Sequence, residues 1–416
     1  MKKIIVEALH AGIKKLPKIN KAYDLSFFSE TIERTRDSSH GDFTSNIALR
    51  LAKSLKRNPR ELANEIFNCI PKNNAIEEIE VAGPGFINFY LDDSAYHTEI
   101  ERILSNKDLI EKNKDFKKQK LLLEFVSANP TGPLHVGHGR HAAFGASLRN
   151  ILEAVGYDVK SEYYVNDSGR QMDILCISVI VHILRGENQK ISMPSAGYQG
   201  QYIKTISQAI EQKFDEDKIK IKELIPKIDD KDNQDQYIDC LIENTKRNIG
   251  SEKFNQIKNQ SLEYIKKDIQ DDLSEFGVLF DSWFSEESMD KNGELDRAIQ
   301  SLKKKDYLYE KDGATWFKAT DLGDEKDRVV IRKNQNKTYF TSDIVYHHNK
   351  KERGFDTLID ILGSDHHGYI ARVKAGLEAM GHNPDDLDVQ LVQFVSLYEN
   401  GVKQAMSTRS GEFITL

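Results

Sequence analysis

The sequence predicts an α/β protein: a small N-terminal α+β unit, then a doubly wound parallel sheet interrupted by a helical insertion. Three observations predict it. Residues 45–70 place Ile47, Leu49, Leu51, Ala52 and Leu55 near helical spacing, pause at Asn58-Pro59 and resume with Leu62, Ile66 and Phe67, before VAGPGFINFYL alternates around a Gly-Pro-Gly turn. LLLEFVSA (121–128) is a short apolar run of the kind that becomes a buried parallel strand. From Gly313 onward, strand-like and helix-like segments alternate.

In chain order, MKKIIVEALHAGIKKL reads as an amphipathic first helix, because Glu7 and His10 interrupt the apolar stretch and no small-residue cleavage site follows. With the helix pair and the Gly-Pro-Gly segment it makes a first unit over 1–112. The charged stretch 106–120 marks a boundary, and a second unit is expected over 118–416. Residues 189–272 are rich in lysine and aspartate, with apolar residues at helical intervals and a loop at DDKDNQDQ (229–236). A helical insertion over about 176–310 follows from that. Beyond it, TWFKATD, DRVVIRK, KTYFTSD, LIDILGSD and DVQLVQFVSLYENG are expected as successive strands, with helices around 344–351 and 368–381.

Composition bounds the function classes. A chain of 416 residues exceeds what one core organises. Hydrophobic residues make up 39% and charged residues 30%, and no apolar run reaches the roughly 18–20 residues that span a bilayer, so a soluble protein without membrane association is expected. Cys69, Cys176 and Cys240 are far apart and in no metal-ligand spacing, which fits a reducing compartment, the cytoplasm, and argues against a structural zinc site. A net charge of −7 argues against a protein that coats nucleic acid, although local patches can still meet a phosphate backbone.

The most specific segment is EFVSANPTGPLHVGHGR (124–140), an apolar strand and a turn followed by His135-Val136-Gly137-His138 at the start of an apparent helix. Helix N-termini favour anions, two imidazoles can donate hydrogen bonds to phosphate oxygens, and Gly137 lets a flat base approach the backbone. Taken alone, the tetrapeptide is equally a capped helix start. The longer string, with Ser127, Asn129 and Pro130, resembles the first signature of class I aminoacyl-tRNA synthetases in its bacterial arginyl form.

That resemblance implies a Rossmann-type catalytic domain in which His135 and His138 stabilise the α-phosphate transition state, with Gly137 under the adenine. TYFTSDIVYHHNKKERGFDTLIDILGSDHHGYIARV (338–374) is similar to the same family over nearly its whole length. A guanidinium is best held by carboxylates. By resemblance Tyr339 and Asp343 fall on the side-chain pocket, Glu124 is the second carboxylate, and Ser127 with Asn129 hold the α-amino and carboxylate ends. Gly363, Asp365 and His366 match positions on the ATP side. His366 and His367, read in a strand, point apart and do not make a zinc site.

VKQAMSTRSGEFITL (402–416) resembles the second signature, whose lysine meets the ATP phosphates. Met406 and Ser407 match, but Thr408 occupies the lysine position, so Lys403, Arg409 and Arg140 are the candidates for the missing charge. HGDFTSNIALRLAK and GPGFINFYL look like the family's N-terminal tRNA-binding domain. There Phe86 would stack on an exposed base and Asn88 read its edge, core packing being the alternative for Phe86. YQGQYI, with Tyr198 and Tyr202, resembles a segment the family uses close to the tRNA acceptor end, though two tyrosines at this spacing are more often packing residues.

The expected activity is arginine–tRNA ligation: ATP, accompanied by Mg2+, activates L-arginine, and tRNA(Arg) receives it, with a monomer as the working unit. Family members continue past the second signature into a helical anticodon-binding domain, expected to be absent here. The alternatives are a truncated fragment or a catalytically silent tRNA-binding paralogue.

Overall fold

The computed structural model describes residues 1–16, 25–105, 119–185, 191–211, 221–227, 230, 233–393, 395–403 and 414–416. It divides into two compact units, Met1–Glu111 and Lys112–Leu416.

The first unit contains α1 (Lys2–Lys14), α2 (Leu25–Glu30), β1 (Ile32–Arg34), β2 (Phe43–Ser45), α3 (Ile47–Leu55), α4 (Pro59–Cys69), β3 (Ile76–Ala82), β4 (Phe86–Leu91) and α5 (Asp93–Ser105). Its antiparallel sheet runs β1-β2-β4-β3. The helical spacing of Ile5, Leu9 and Ile13 buries one face of α1 with Ile47, Leu51, Leu62, Ile66, Ile87 and Phe89. The pause at Asn58-Pro59 is a start signal: Asn58 accepts from the backbone N–H groups of Arg60 and Glu61, and Pro59 occupies the first turn of α4. The Gly-Pro-Gly turn joins β3 to β4. At Gly85 (φ +135°) a Cβ would stand 2.8 Å from the Pro59 carbonyl oxygen, so the turn needs glycine.

The second unit carries β5 (Lys120–Glu124), α6 (Val136–Val155), β6 (Asp158–Val165), α7 (Arg170–Arg185), α8 (Gln201–Glu211), α9 (Ile221–Leu224), α10 (Gln234–Ile249), α11 (Ser251–Glu275), β7 (Ser282–Ser285), α12 (Glu286–Lys291) and α13 (Glu294–Lys304). Then come β8 (Leu308–Lys311), β9 (Ala314–Phe317), β10 (Arg328–Ile331), α14 (Tyr339–Glu352), β11 (Thr357–Gly363), α15 (Ile370–Met380), β12 (Leu387–Val392), β13 (Tyr398–Glu399) and β14 (Val402–Lys403). A five-stranded, wholly parallel sheet has the order β12-β11-β5-β6-β7. Leu121, Leu122 and Leu123 are all buried, as a strand covered on both faces requires. The chain leaves β5 toward β6 and β7, then returns on the other side of β5 to β11. That reversal opens a crevice at the strands' C-terminal ends, where ligands of such sheets bind.

Three expectations need correction. The helices of the insertion end at Glu275, and Ser282–Ser285 already belongs to the parallel sheet, so the insertion does not extend to 310. TWFKATD and DRVVIRK supply β9 and β10 of a separate three-stranded antiparallel sheet, ordered β10-β9-β8, and no strand of the parallel one. KTYFTSD is no strand. Tyr339 begins α14, whose buried side chains, among them Phe340, Ile344, Val345, Tyr346 and His347, outweigh the strand preference of its aromatic and β-branched residues.

Candidate active site

The strand-turn-helix read from the sequence is present, and its backbone is strained. Directly after β5, Val126 and Ser127 adopt left-handed conformations, φ +66° and +40°, which a β-branched residue rarely takes. The bend delivers Ser127 Oγ to two partners: it donates to Glu124 Oε1 at 2.9 Å and accepts from the Tyr164 backbone N–H at 3.0 Å. Asn129 Oδ1 accepts from Asn166 Nδ2.

At the start of α6, His135 and His138 form a reciprocal cap. His135 Nδ1 accepts from the Gly137 N–H at 3.1 Å, and His138 Nδ1 accepts from the His135 N–H at 3.2 Å. Acceptance at Nδ1 assigns each ring's proton to Nε2. Burial lowers both pKa values, that of His138 to about 3, with the neighbouring histidines adding to the effect, so both rings are neutral donors at physiological pH. Residues 414–416 close this turn: Val136 N donates to Ile414 O and Leu416 N to Leu134 O. Arg140 donates to the Gln393 carbonyl.

Beside the turn lies a cavity of about 460 Å3 lined by Glu124, Ser127, Tyr339, Asp343, Asp360, Asp365 and His366 among others. Its carboxylates are not equivalent. Glu124 and Asp360 share the buried Lys350, whose Nζ stands 2.6 and 2.8 Å from them, and Asp360 also meets His347 Nε2 at 2.7 Å. Asp343 has no lysine or arginine partner among the described residues. Burial pushes its pKa up to about 7, against the opposing effect of His347 and a hydrogen bond from Tyr369. Glu286, at the start of α12 and only 5% exposed, lies near enough to raise Asp343 further. Its own pKa is raised by burial despite hydrogen bonds with Ser342, Ser168 and Tyr164, and its Oε2 has no partner among the described residues. Glu286 faces an adjoining cleft of about 640 Å3, and Tyr339, 57% exposed, lines both hollows.

The structure therefore joins Glu124, Ser127, Tyr339, Asp343, Asp365 and His366 in one cavity, with Gly363 at the end of β11 next to it. Glu124, expected as the second carboxylate, is paired with Lys350. Glu286 went unnoticed in the sequence because SWFSEESMD carries no motif spacing. The signal that could have found it is a carboxylate immediately after a short strand of the parallel sheet. Met406, Ser407 and Arg409 lie outside the described residues; for Lys403 the backbone is described, paired with Tyr398.

Phe86 is exposed at 36% whereas Asn88, on the same strand, is buried at 3%, so its amide is not offered to an external base as it stands. Tyr198 is buried and donates to Gln171 Oε1 at 2.5 Å, and Tyr202 packs against the same core. Tyr198 is thus a core residue, whereas Tyr202 is only partly buried. His366 and His367 lie in a 3-10 turn, both exposed, not in the strand assumed for them. Elsewhere His348, Glu352 and His382 cluster, but the two imidazole nitrogens, 2.7 Å apart, form a hydrogen bond and stand closer than two ligands of one tetrahedral ion, about 3.3 Å given metal–nitrogen bonds near 2 Å.

Comparison with known proteins agrees with this geometry. The model of the catalytic domain of class I tRNA synthetases (R) matches residues 99–416, and that of the arginyl-tRNA synthetase N-terminal domain matches residues 1–91. The chain belongs to the arginyl-tRNA synthetase family. It is 48% identical over 391 residues to an arginine–tRNA ligase of Legionella pneumophila strain Paris, covering 92% of this chain and 66% of that protein. An arginine–tRNA ligase of Dichelobacter nodosus is 44% identical over 429 aligned positions, covering 100% of this chain and 72% of the relative. This synthetase-family chain thus spans about two thirds of the length of the curated relatives it matches.

Among solved structures, one described as an arginyl-tRNA synthetase of Campylobacter jejuni superposes with a TM-score of 0.64 at 32% identity, over 78% of this chain and 65% of that one. The Thermus thermophilus arginyl-tRNA synthetase, at 19% identity and a TM-score of 0.63 over 94% and 66% of the two chains, shares the fold.

Proposed function

We propose that the chain is an arginine–tRNA ligase, forming arginyl-adenylate from L-arginine and ATP and passing the arginyl group to tRNA(Arg). The observation that carries this reading is two carboxylates without a lysine or arginine partner among the described residues, Asp343 in the cavity beside the β5–α6 turn and Glu286 facing the adjoining cleft, together with a helix N-terminus that carries two neutral imidazoles. A guanidinium keeps its proton in water, and carboxylates without a cation of their own are suited to accept its N–H groups.

The arginine carboxylate must reach the α-phosphorus at the start of α6. This orients the amino acid with its α-carbon toward Glu124, Ser127 and Asn129, on or beside the β5–α6 turn, and its guanidinium toward Asp343, Glu286 and Tyr339. A carboxylate oxygen attacks the α-phosphorus in line, the bond to the bridging oxygen breaks, and diphosphate departs. The His135 and His138 Nε2–H groups donate to the α-phosphate oxygens as charge gathers there, with helix α6 adding its N-terminal dipole. Mg2+ arrives with ATP. A terminal ribose hydroxyl of tRNA, the 2′ one by family resemblance, then attacks the adenylate carbonyl and AMP leaves. Positioning and electrostatics supply the rate, and no covalent nucleophile is used.

The three cysteines are free, which supports a reducing, cytoplasmic setting, and a monomer is the proposed working unit. No helix among the described residues is long and apolar enough to cross a membrane.

Arginine-dependent exchange between ATP and diphosphate, with and without tRNA(Arg) and beside His138→Ala, tests the reading. Exchange that requires tRNA and disappears in the variant is expected. Absence of exchange in the chain, and also in a version extended to the relatives' full length, would leave only a tRNA-binding paralogue.

A further inference from the structure

Glu124 and Asp360 are directly paired residues of adjacent parallel strands, the last residue of β5 and the fourth of β11. Neighbouring strands lie about 4.8 Å apart, so two buried carboxylates there would not both stay ionised without a cation. The cation is Lys350, fully buried on α14, whose ammonium bonds both and sits 4.2 Å from the centroid of the Tyr346 ring. Burial opposes its charge, but Asp360 and Glu124 outweigh burial and raise its pKa. The remaining oxygens are also occupied: Ser127 Oγ donates to Glu124 Oε1, and His347 Nε2 meets Asp360 Oδ2.

We propose that Lys350 is a positioning residue of the amino-acid site: it fixes the Glu124 carboxylate, at the cavity wall beside Ser127, in the orientation that receives the arginine α-ammonium group. The inference rests on the arginine reading above. A strap serving stability alone needs no further partners, whereas this one continues through Glu124 to Ser127, a cavity residue held in a left-handed conformation. On its other side it continues through Asp360 to His347, whose Nδ1 lies 2.7 Å from the Asp343 carbonyl oxygen. One lysine thus joins the residues assigned to the two ends of the amino acid, which sequence alone separates by more than 200 positions.

The test is calorimetric titration of the whole chain with L-arginine and with 5-guanidinopentanoate, which is arginine without its α-amino group. In Lys350→Met, arginine binding is expected to weaken about tenfold or more, as when one partner of a buried charge pair is removed, while the des-amino ligand changes little. The preference for arginine therefore collapses. Lys350→Met combined with Asp360→Asn removes the like-charge pair, so the melting temperature should recover while the preference stays low; this variant also serves if the single one does not fold. Equal weakening of both ligands, or a preference restored together with stability, would overturn the inference. Wild-type chain that binds neither ligand would remove the arginine reading itself and the inference with it.

Discussion

His135 and His138 stack ring on ring, their centroids 3.8 Å apart and their planes inclined by 22°, with each Nδ1 turned to a backbone N–H of the helix start. The reciprocal cap occupies both Nδ1 atoms and leaves both Nε2–H groups for the α-phosphate contact proposed above. Because the pKa of His138 falls to about 3, it does not titrate between pH 6 and 8.

His138→Ala is accordingly expected to lower the rate of adenylate formation by about 10²–10³, the usual loss for one preorganised oxyanion donor. The arginine KM should hold if, as proposed, the ring serves the phosphate and not the amino acid. Loss of the cap should cost about 1 kcal/mol of stability as well. Stopped-flow measurement of adenylate formation beside a denaturant titration separates the two effects; an unchanged rate would exclude His138 from the phosphate site.

Asp343 supplies a pH dependence that His138 does not. Its carboxyl is raised to about 7 in the folded chain, so arginine, which needs the ionised form, should bind progressively more weakly as pH falls from 8 to 6. The stability effect has the opposite sense. A carboxyl with a folded pKa above its unfolded value favours the fold when protonated, and that contribution is lost as pH rises from about 4 through 7. Asp343→Asn should therefore raise the melting temperature of the ligand-free chain at pH 8 while weakening arginine by about 2 kcal/mol or more and flattening the pH profile. Calorimetry at pH 6, 7 and 8 reads both; an unchanged profile in the variant would assign the limb elsewhere.

Gly145 tests how closely α6 must approach the strand that precedes it. A Cβ there would stand 2.2 Å from Cγ of Phe125, a fully buried ring that directly follows β5. Alanine ordinarily favours a helix over glycine by about 1 kcal/mol. Here the overlap should dominate, so Gly145→Ala is expected to destabilise by about 1–3 kcal/mol in chemical denaturation. Displacement of α6 should also reduce adenylate formation. A more stable variant would mean that Phe125 moves aside at little cost.

The parts of the site that were legible in sequence are local ones. LLLEFVSANPTGPLHVGH holds its strand, turn and cap within eighteen residues, and period and punctuation suffice to read them. KTYFTSD misled because its aromatic and β-branched residues favour a strand in isolation, while burial of Phe340, Ile344 and His347 on a helix decides the outcome. Glu286 and Lys350 were not legible because their meaning depends on partners distant in sequence. Lys350 reads as a solvated lysine of NKKERG until α14 folds against β5 and β11. The left-handed backbone at Val126-Ser127 carries no signal either, since neither residue favours that conformation.

The N-terminal unit offers a separation of stability from recognition within one strand. Phe86 and Asn88 point to the same side of β4, yet the phenyl ring is exposed and the amide is enclosed where Asn88 pairs with Thr44 of β2 and Glu80 of β3. Stacking on a nucleic-acid base is worth about 1–3 kcal/mol. Phe86→Ala should therefore weaken binding of tRNA(Arg) by about tenfold and leave the melting temperature in place. Asn88→Ala should act in the reverse order, costing about 0.5–3 kcal/mol of stability, the usual range for a substitution that empties space in a packed sheet. Filter binding and thermal denaturation of both variants check the pair. Unaltered tRNA affinity in Phe86→Ala would return that ring to the ordinary exposed hydrophobics, whereas a loss confined to Asn88→Ala without destabilisation would require β4 to open when tRNA binds.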